Sequence, residues 1–354
     1  MAYGTINAEQ LTTQSGYTLG AGNSSSFKNR IINGAMVIDQ RNAGAASAVP
    51  VSVGAGYTLD RWRYAAPALA KFTLQQNQGG VTTAAGFPNY LGLTSSAATA
   101  VAAGDAYILQ QYIEGFNTAD LAWGTASAAS VTLSFRVYSS LTGTFGGSLQ
   151  NSASNRSYPF SYSIPAANTW TTISITIAGD TSGTWVGATN GTGISLTFGL
   201  GVGSTYLGTA GAWAGANYFS ATGATNVVST NGATFYITGV QLEVGTVATS
   251  FDYRSYGTEL GLCQRYYWQD GQQSVDAYAV IGVAATNRRV YPVQMRTTPT
   301  ITQTGAIVVN TNTADTTFGT DGSTSNNIGT NFFIVASASG RTNLYRPVQA
   351  SAEL

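Results

Sequence analysis

Four aromatic residues, Tyr206, Trp213, Tyr218 and Phe219, fall within one long segment rich in glycine and alanine. Tyrosine and tryptophan combine a flat apolar face with a polar tip, the combination that packs against sugar rings. These four are therefore the candidate ligand-binding residues, although burial or a subunit interface is the commoner use of any one such ring. Catalytic candidates are thinner. The chain of 354 residues has no histidine, which removes Ser–His–Asp triads, Cys–His pairs and the usual zinc sites. Its one cysteine, Cys263, lies beside an aromatic-rich stretch and reads as a small buried hydrophobe. Gly199, Gly201 and Gly203 lack the spacing, and the following Lys-Ser/Thr, of a phosphate-cradling loop.

Glycoside hydrolysis by two carboxylates is the one enzymatic chemistry left. Asp105, Glu114 and Asp120 are the best-placed acids. Asp105 and Asp120 lie near glycine or loop-like stretches and read as solvated turn positions, and Glu114 as a strand-end acid or a salt-bridge partner. No catalytic residue is assigned, and the chain is expected not to be an enzyme. The oxygen-rich loops Gly179-Asp180-Thr181-Ser182-Gly183 and Thr320-Asp321-Gly322-Ser323 offer calcium ligands. Neither has the spaced acids of an EF-hand, and an ordinary Asp-containing turn is the simpler account. No metal and no cofactor is expected.

The background is unusual in its charge. Only 8% of residues are charged, against roughly 25% in a typical soluble domain, while 44% are hydrophobic. Hydroxyls and amides take the place of ions. The 15 basic and 15 acidic residues cancel, and no basic patch of the kind nucleic acid requires is visible. One cysteine excludes an intrachain disulfide. The opening Met1-Ala2-Tyr3-Gly4-Thr5 lacks the charged and apolar regions of a signal peptide, and no apolar run approaches the ~20 residues of a membrane helix. Such a composition without an export signal is expected of a particle protein made in the host cytoplasm and released by lysis.

The elements that must position these residues read as strands. Scarce Glu, Lys and Arg disfavour helix, and plentiful Thr, Val, Tyr and Phe favour strand. Val131, Leu133, Phe135 and Val137 alternate cleanly onto one face, the mark of a half-buried strand. Further strands are predicted at 71–75, 107–113, 172–177, 194–200, 234–242, 290–295, 301–309 and 331–335, with a short helical turn beginning near Thr258. Residues 201–230 make a connection long for a hairpin, where recognition commonly sits. Trp62, Trp123 and Trp170 adjoin strands and are expected in the core. The fold class is all-β: an extended N-terminal arm over 1–30, a jelly-roll β-sandwich over 31–256, and a smaller C-terminal β domain over 257–354.

Two stretches resemble proteins of tailed-bacteriophage tails and appendages. One is Phe27-Lys28-Asn29-Arg30-Ile31-Ile32-Asn33-Gly34-Ala35-Met36-Val37-Ile38-Asp39-Gln40-Arg41-Asn42, followed by Tyr57-Thr58-Leu59-Asp60-Arg61-Trp62. The other is Phe235-Tyr236-Ile237-Thr238-Gly239-Val240-Gln241-Leu242-Glu243-Val244-Gly245, running into Phe251 and Leu262-Cys263-Gln264-Arg265-Tyr266-Tyr267. With Tyr291–Pro299, the likeness spans most of residues 27–300. The stretch from Gln111 to Val244 is also similar to carbohydrate-binding modules of the galactose-binding-like jelly-roll kind, in its central Ser134-Phe135 strand and its closing Tyr236-Ile237-x-x-Val240-x-Leu242 strand. Together these resemblances imply a virion fibre or appendage subunit, homotrimeric, joined to other virion proteins through the arm and contacting host surface polysaccharide. A head-decoration (cement or capsid fibre) protein without receptor role and a polysaccharide-degrading tailspike are the alternatives.

Overall fold

In the computed structural model of the chain, which describes residues 10–12, 18–20, 28–45, 54–279, 284–303, 308–309, 316–321, 326, 328–336 and 340–354, strands dominate. The chain divides into two units, Met1–Tyr256 and Gly257–Leu354. Eleven strands build the first sandwich: β1 (Gly54–Tyr57), β2 (Arg63–Ala66), β3 (Phe72–Gln76), β4 (Leu91–Ser95), β5 (Ala106–Glu114), β6 (Val131–Ser139), β7 (Gly143–Gln150), β8 (Ser157–Ile164), β9 (Thr171–Ile177), β10 (Thr192–Val202) and β11 (Thr234–Val244). One sheet has the order β8-β7-β10-β5-β2-β1 and the other β9-β6-β11-β4-β3. Every neighbouring pair is antiparallel. From β5 onward, apart from the β7–β8 hairpin within one sheet, the chain passes back and forth between the two sheets, which makes the sandwich a jelly roll.

Period-two alternation decides which residues fill it. Leu133, Phe135 and Val137 of β6, Ile194, Leu196, Phe198 and Leu200 of β10, and Phe145 and Phe160 of β7 and β8 form one continuous core. Phe135 meets the Phe198 ring edge-on at 5.1 Å, a preferred geometry for aromatic pairs. Trp62 and Trp123 belong to this core. Trp170 does not: it is half-buried on the outer face of the five-stranded sheet, where its indole N–H donates to the Thr82 carbonyl at 2.8 Å. Trp170 immediately precedes β9, and it is Ile173 of that strand that turns inward.

The second unit opens with helix α1 (Tyr256–Gln264), which buries Cys263. The strands β12 (Tyr267–Ala279), β13 (Ala284–Val290), β14 (Thr300–Gln303), β15 (Thr316–Asp321), β16 (Gly329–Ala336) and β17 (Gly340–Ser351) follow. They pair as β12-β17-β14 and β13-β16-β15. The predicted strand at 290–295 is displaced: the strand ends at Val290, and Tyr291 and Met295 turn inward with Trp268 and Ala350. Pro292, which has no N–H for a ladder, accounts for the break.

One feature of the first unit organises the rest. Between Thr238, paired with Arg136, and Gln241, paired with Ser134, two residues of β11 face a single residue of β6. This β-bulge holds Gly239 at φ +61°, where glycine carries no steric cost. It also reverses parity. Phe235 and Ile237 face the core before it, and Val240 and Leu242 after it. Pairing with β4 stops at Ile237, opposite Leu91, and beyond that point residues 28–34 lie along β11 as a strap and supply its partners. The Val240 N–H donates to the Gly34 carbonyl at 2.9 Å, the Asn29 amide donates to the Val240 carbonyl at 3.0 Å, and the Leu242 N–H donates to the Asn29 side-chain oxygen at 3.1 Å. The Gln111 side chain pairs with both backbone groups of Ile32, each at 2.9 Å. Asn29 and Arg30, expected in the arm, are thus part of the sandwich, as is the apolar run Ile31–Ile38. Most of the arm's remaining residues lie outside the described residues.

A Cβ on Gly34 would collide with the Val240 carbonyl oxygen. Gly34→Ala is expected to destabilise the sandwich by about 1–3 kcal/mol, as overpacking does. Gly104→Ala, where an added Cβ meets nothing within 4 Å, should leave the denaturant midpoint in place. Equal midpoints for the two variants would show that the strap does not depend on this close approach.

Candidate functional site

The bulge also builds a cleft on the outer face of the five-stranded sheet. Alternation in β6 and β9 turns Ser134, Arg136, Thr172 and Ser174 away from the core. Register places Arg136 between Thr172 and Thr238, and Ser134 between Ser174 and Gln241. The segment Ala248–Phe251 and the Phe87 ring close the sides around a volume of about 280 Å³. The floor is therefore hydroxyl-rich, with one cation.

The aromatic wall follows from Gly239. A Cβ there would lie 2.5 Å from the Phe87 ring, so the missing side chain is what lets Phe87 seat against the bulge. Phe87, Phe251 and Tyr253 then meet pairwise, at 5.1, 4.8 and 5.6 Å between ring centroids. Tyr253 is 57% exposed, and its hydroxyl donates to the Gly86 carbonyl. Burial raises the Tyr253 phenol above its ordinary range, and the nearby Arg136 charge pulls it the other way. The Arg136 guanidinium is half-buried and has no hydrogen bond or ion pair among the described residues. Farther along the same face, Tyr138 stacks on Tyr236 at 5.3 Å and Tyr236 on Tyr90 at 5.1 Å, with Trp170 against Tyr90 and Tyr138.

The loop that shapes the cleft is fixed from beneath. Glu243, fully buried, accepts from the Gln241 amide and the Thr249 N–H, each at 2.8 Å, and from the Thr249 hydroxyl at 2.7 Å. Lys28 donates to that same hydroxyl. The Asp252 N–H donates to the Gln241 side-chain amide oxygen at 2.8 Å, and Arg254 donates to the backbone carbonyls of Asn29 and Ile31. The strap, the bulge and the cleft loop are one hydrogen-bonded unit.

The four aromatic residues predicted from sequence are not among the residues lining this cleft. Tyr206 and Phe219 pair at 5.0 Å, both half-buried. Tyr218 covers Gly208, where a Cβ would strike its ring. Trp213 joins Trp123, Trp185 and Tyr158 at 5.3, 5.5 and 5.2 Å, and its N–H donates to the Ala178 carbonyl at 2.8 Å. The long connection is pinned against the sandwich by these rings. Sequence reasoning did not select Arg136, Phe87, Phe251 or Tyr253. The signal for Arg136 was present: it is the one charged residue in the alternating strand β6.

The acids have structural partners. Asp120 accepts two hydrogen bonds from Arg30, at 2.6 and 2.7 Å, and these hold its carboxyl below the usual range, opposite to what a general acid needs. An Asp105 oxygen accepts from the Ala102 N–H at 2.9 Å, and Glu114 is buried at the end of β5. In the loop weighed for calcium, the Asp180 oxygens accept from Arg156 at 2.6 and 2.8 Å and from the Ser182 N–H at 3.1 Å. The Thr320–Ser323 loop lies partly outside the described residues.

No protein family matches the chain, and no curated protein does. Among solved structures, it is similar to the enzymatically active domain of tailspike protein 4 of bacteriophage CBA120, with 13% identity and a TM-score of 0.34 over 64% of this chain. This chain spans 23% of that one. A CBM4 structure has 13% identity and a TM-score of 0.29, covering 60% of this chain and 98% of that one. A family 11 carbohydrate-binding module from Clostridium thermocellum has 10% identity and a TM-score of 0.27, covering 55% and 98%. Scores of this size carry no inference about ligand or activity. The fold class stands on the two antiparallel sheets themselves.

Trp213→Ala is expected to destabilise the chain on the order of 3 kcal/mol, as removal of a packed aromatic does. Tyr206→Ala should cost about 1 kcal/mol, the ordinary value for a substitution. Denaturant unfolding of both variants measures the difference, and equal losses would mean that the tryptophan cluster does not anchor the long connection.

Proposed function

We propose that this chain is a non-catalytic structural subunit of a tailed-phage particle, a fibre or appendage protein that contacts host surface glycan through the cleft on its five-stranded sheet. The observation that carries the glycan reading is the cleft's combination of surfaces. Binding sites are concave, with aromatic walls and a few placed polar groups. A sugar ring has an apolar C–H face and a rim of hydroxyls, and the cleft sets Ser134, Thr172 and Ser174 beside Phe87 and Phe251, on which the exposed Tyr253 ring packs.

The virion reading is supported by the sequence resemblance over 27–42 and 235–267. The two stretches interlock, Asn29 and Gly34 with Val240 and Leu242, which gives a physical reason for the likeness to include both. Self-assembly into a homotrimer is consistent with the low charge, since copies can bury surface against one another without stranding ions. Attachment to other virion proteins is assigned to the N-terminal arm.

Full-length protein is expected to bind host envelope polysaccharide saturably, with Tyr253→Ala weakening binding about tenfold, the equivalent of about 1.4 kcal/mol. No binding to any surface glycan would remove the receptor role and favour a head-decoration protein. No reducing ends should be released; release that disappears in Glu114→Gln would overturn the non-catalytic reading. Light scattering is expected to give a molar mass three times that of one chain, as a closed symmetric assembly requires, and a monomer at every concentration would overturn the trimer.

A further inference from the structure

Resting on that glycan reading, we infer that the cleft's ligand is an acidic saccharide, whose single negative charge pairs with Arg136 while a ring face lies on Tyr253. The charges around the cleft show why. Lys28 and Glu243 share the Thr249 hydroxyl, so that cation is matched within the loop. Asp252 accepts from the Asn29 N–H at 3.2 Å and lies 3.9 Å from the Arg254 guanidinium. Arg136 alone is left over, half-buried and unpartnered among the described residues. In a chain with only 8% charged residues, an unmatched guanidinium on an otherwise hydroxyl-lined floor is not there for solubility.

Partial burial strips water from the guanidinium, and a ligand oxyanion restores what was lost. The planar fork of arginine suits a two-oxygen acceptor, a carboxylate or a phosphodiester. One surplus positive charge fits a group carrying one negative charge. Arg136 lines the cleft together with Phe87 and Phe251, and Tyr253 packs on both of those rings, so the cation and the aromatic wall belong to one site. The hydroxyls of Thr172 and Ser174, both exposed on β9, face the remaining rim.

The test uses full-length protein and three probes: a glucuronate-containing oligosaccharide, its carboxyl-reduced neutral counterpart, and a phosphodiester-linked oligosaccharide. At least one acidic probe is expected to bind about tenfold or more tightly than the neutral one in calorimetry, as a charge-assisted hydrogen bond allows. Which acidic probe binds identifies the oxyanion. The preference should vanish in Arg136→Gln, survive in part in Arg136→Lys, and shrink as salt is raised. Salt titration of the wild-type chain decides the matter even if the Gln variant fails to fold. Equal binding of acidic and neutral probes, with Tyr253→Ala still weakening both, would overturn the acidic ligand while leaving the glycan reading intact. Silence from all three probes would overturn this inference, and the envelope polysaccharide panel then decides the broader reading.

Discussion

The first unit depends on a single irregularity, the bulge at Gly239–Val240 and the strap that completes it. An uninterrupted β11 would place Val240 and Leu242 on the outer face, because side-chain direction alternates without exception along a strand. The extra residue returns both to the core. Past Ile237 this part of β11 has no β4 beside it, and unpaired backbone groups away from water are expensive. Asn29 and Gly34 meet that demand at 2.9–3.1 Å. The strap therefore completes β11 where β4 no longer accompanies it.

The cleft is a by-product of the same arrangement. A residue without a Cβ at 239 lets Phe87 approach the sheet, and Phe87 gathers Phe251 and Tyr253. The parity change sends Gln241 and Glu243 outward, where they fix the loop that carries Thr249 and Asp252. Polar networks of this kind hold a geometry well only when every member is satisfied. Those contacts are made largely of amides and carbonyls, in keeping with the chain's composition. Ion pairs play a smaller part: Arg156 with Asp180 and Arg30 with Asp120 each fasten one loop segment to another.

Much of the sandwich was legible in the sequence. The strands at 107–113, 131–138, 172–177, 194–200 and 234–242 lie within observed strands, and the helical turn near Thr258 is α1. Each carries strong β propensity or a period that local physics reads directly. The β7–β8 hairpin, with Gly143, Gly146 and Gly147 on one strand and Pro159 on the other, has too little of either to announce itself. Tyr291–Met295 had the residues of a strand, but a Pro at 292 and burial against Trp268 and Ala350 made it a turn.

Composition and period are local properties, so the all-β class, the inward face of most strands and the scarcity of catalytic groups could be read from the residues alone. The sequence also held the parity change in the spacing Phe235, Ile237, Val240, Leu242, though only the partner strand reveals that as a bulge. The cleft was decided by tertiary structure alone. Phe87, Arg136 and Tyr253 are far apart along the chain, and each is unremarked in its own neighbourhood. What brings them together is strand register and the close approach allowed at Gly239, both set by which segments pair. By the same token, Trp213 became an anchor instead of a free loop ring because Trp123, Trp185 and Tyr158 were folded within 5.5 Å of it.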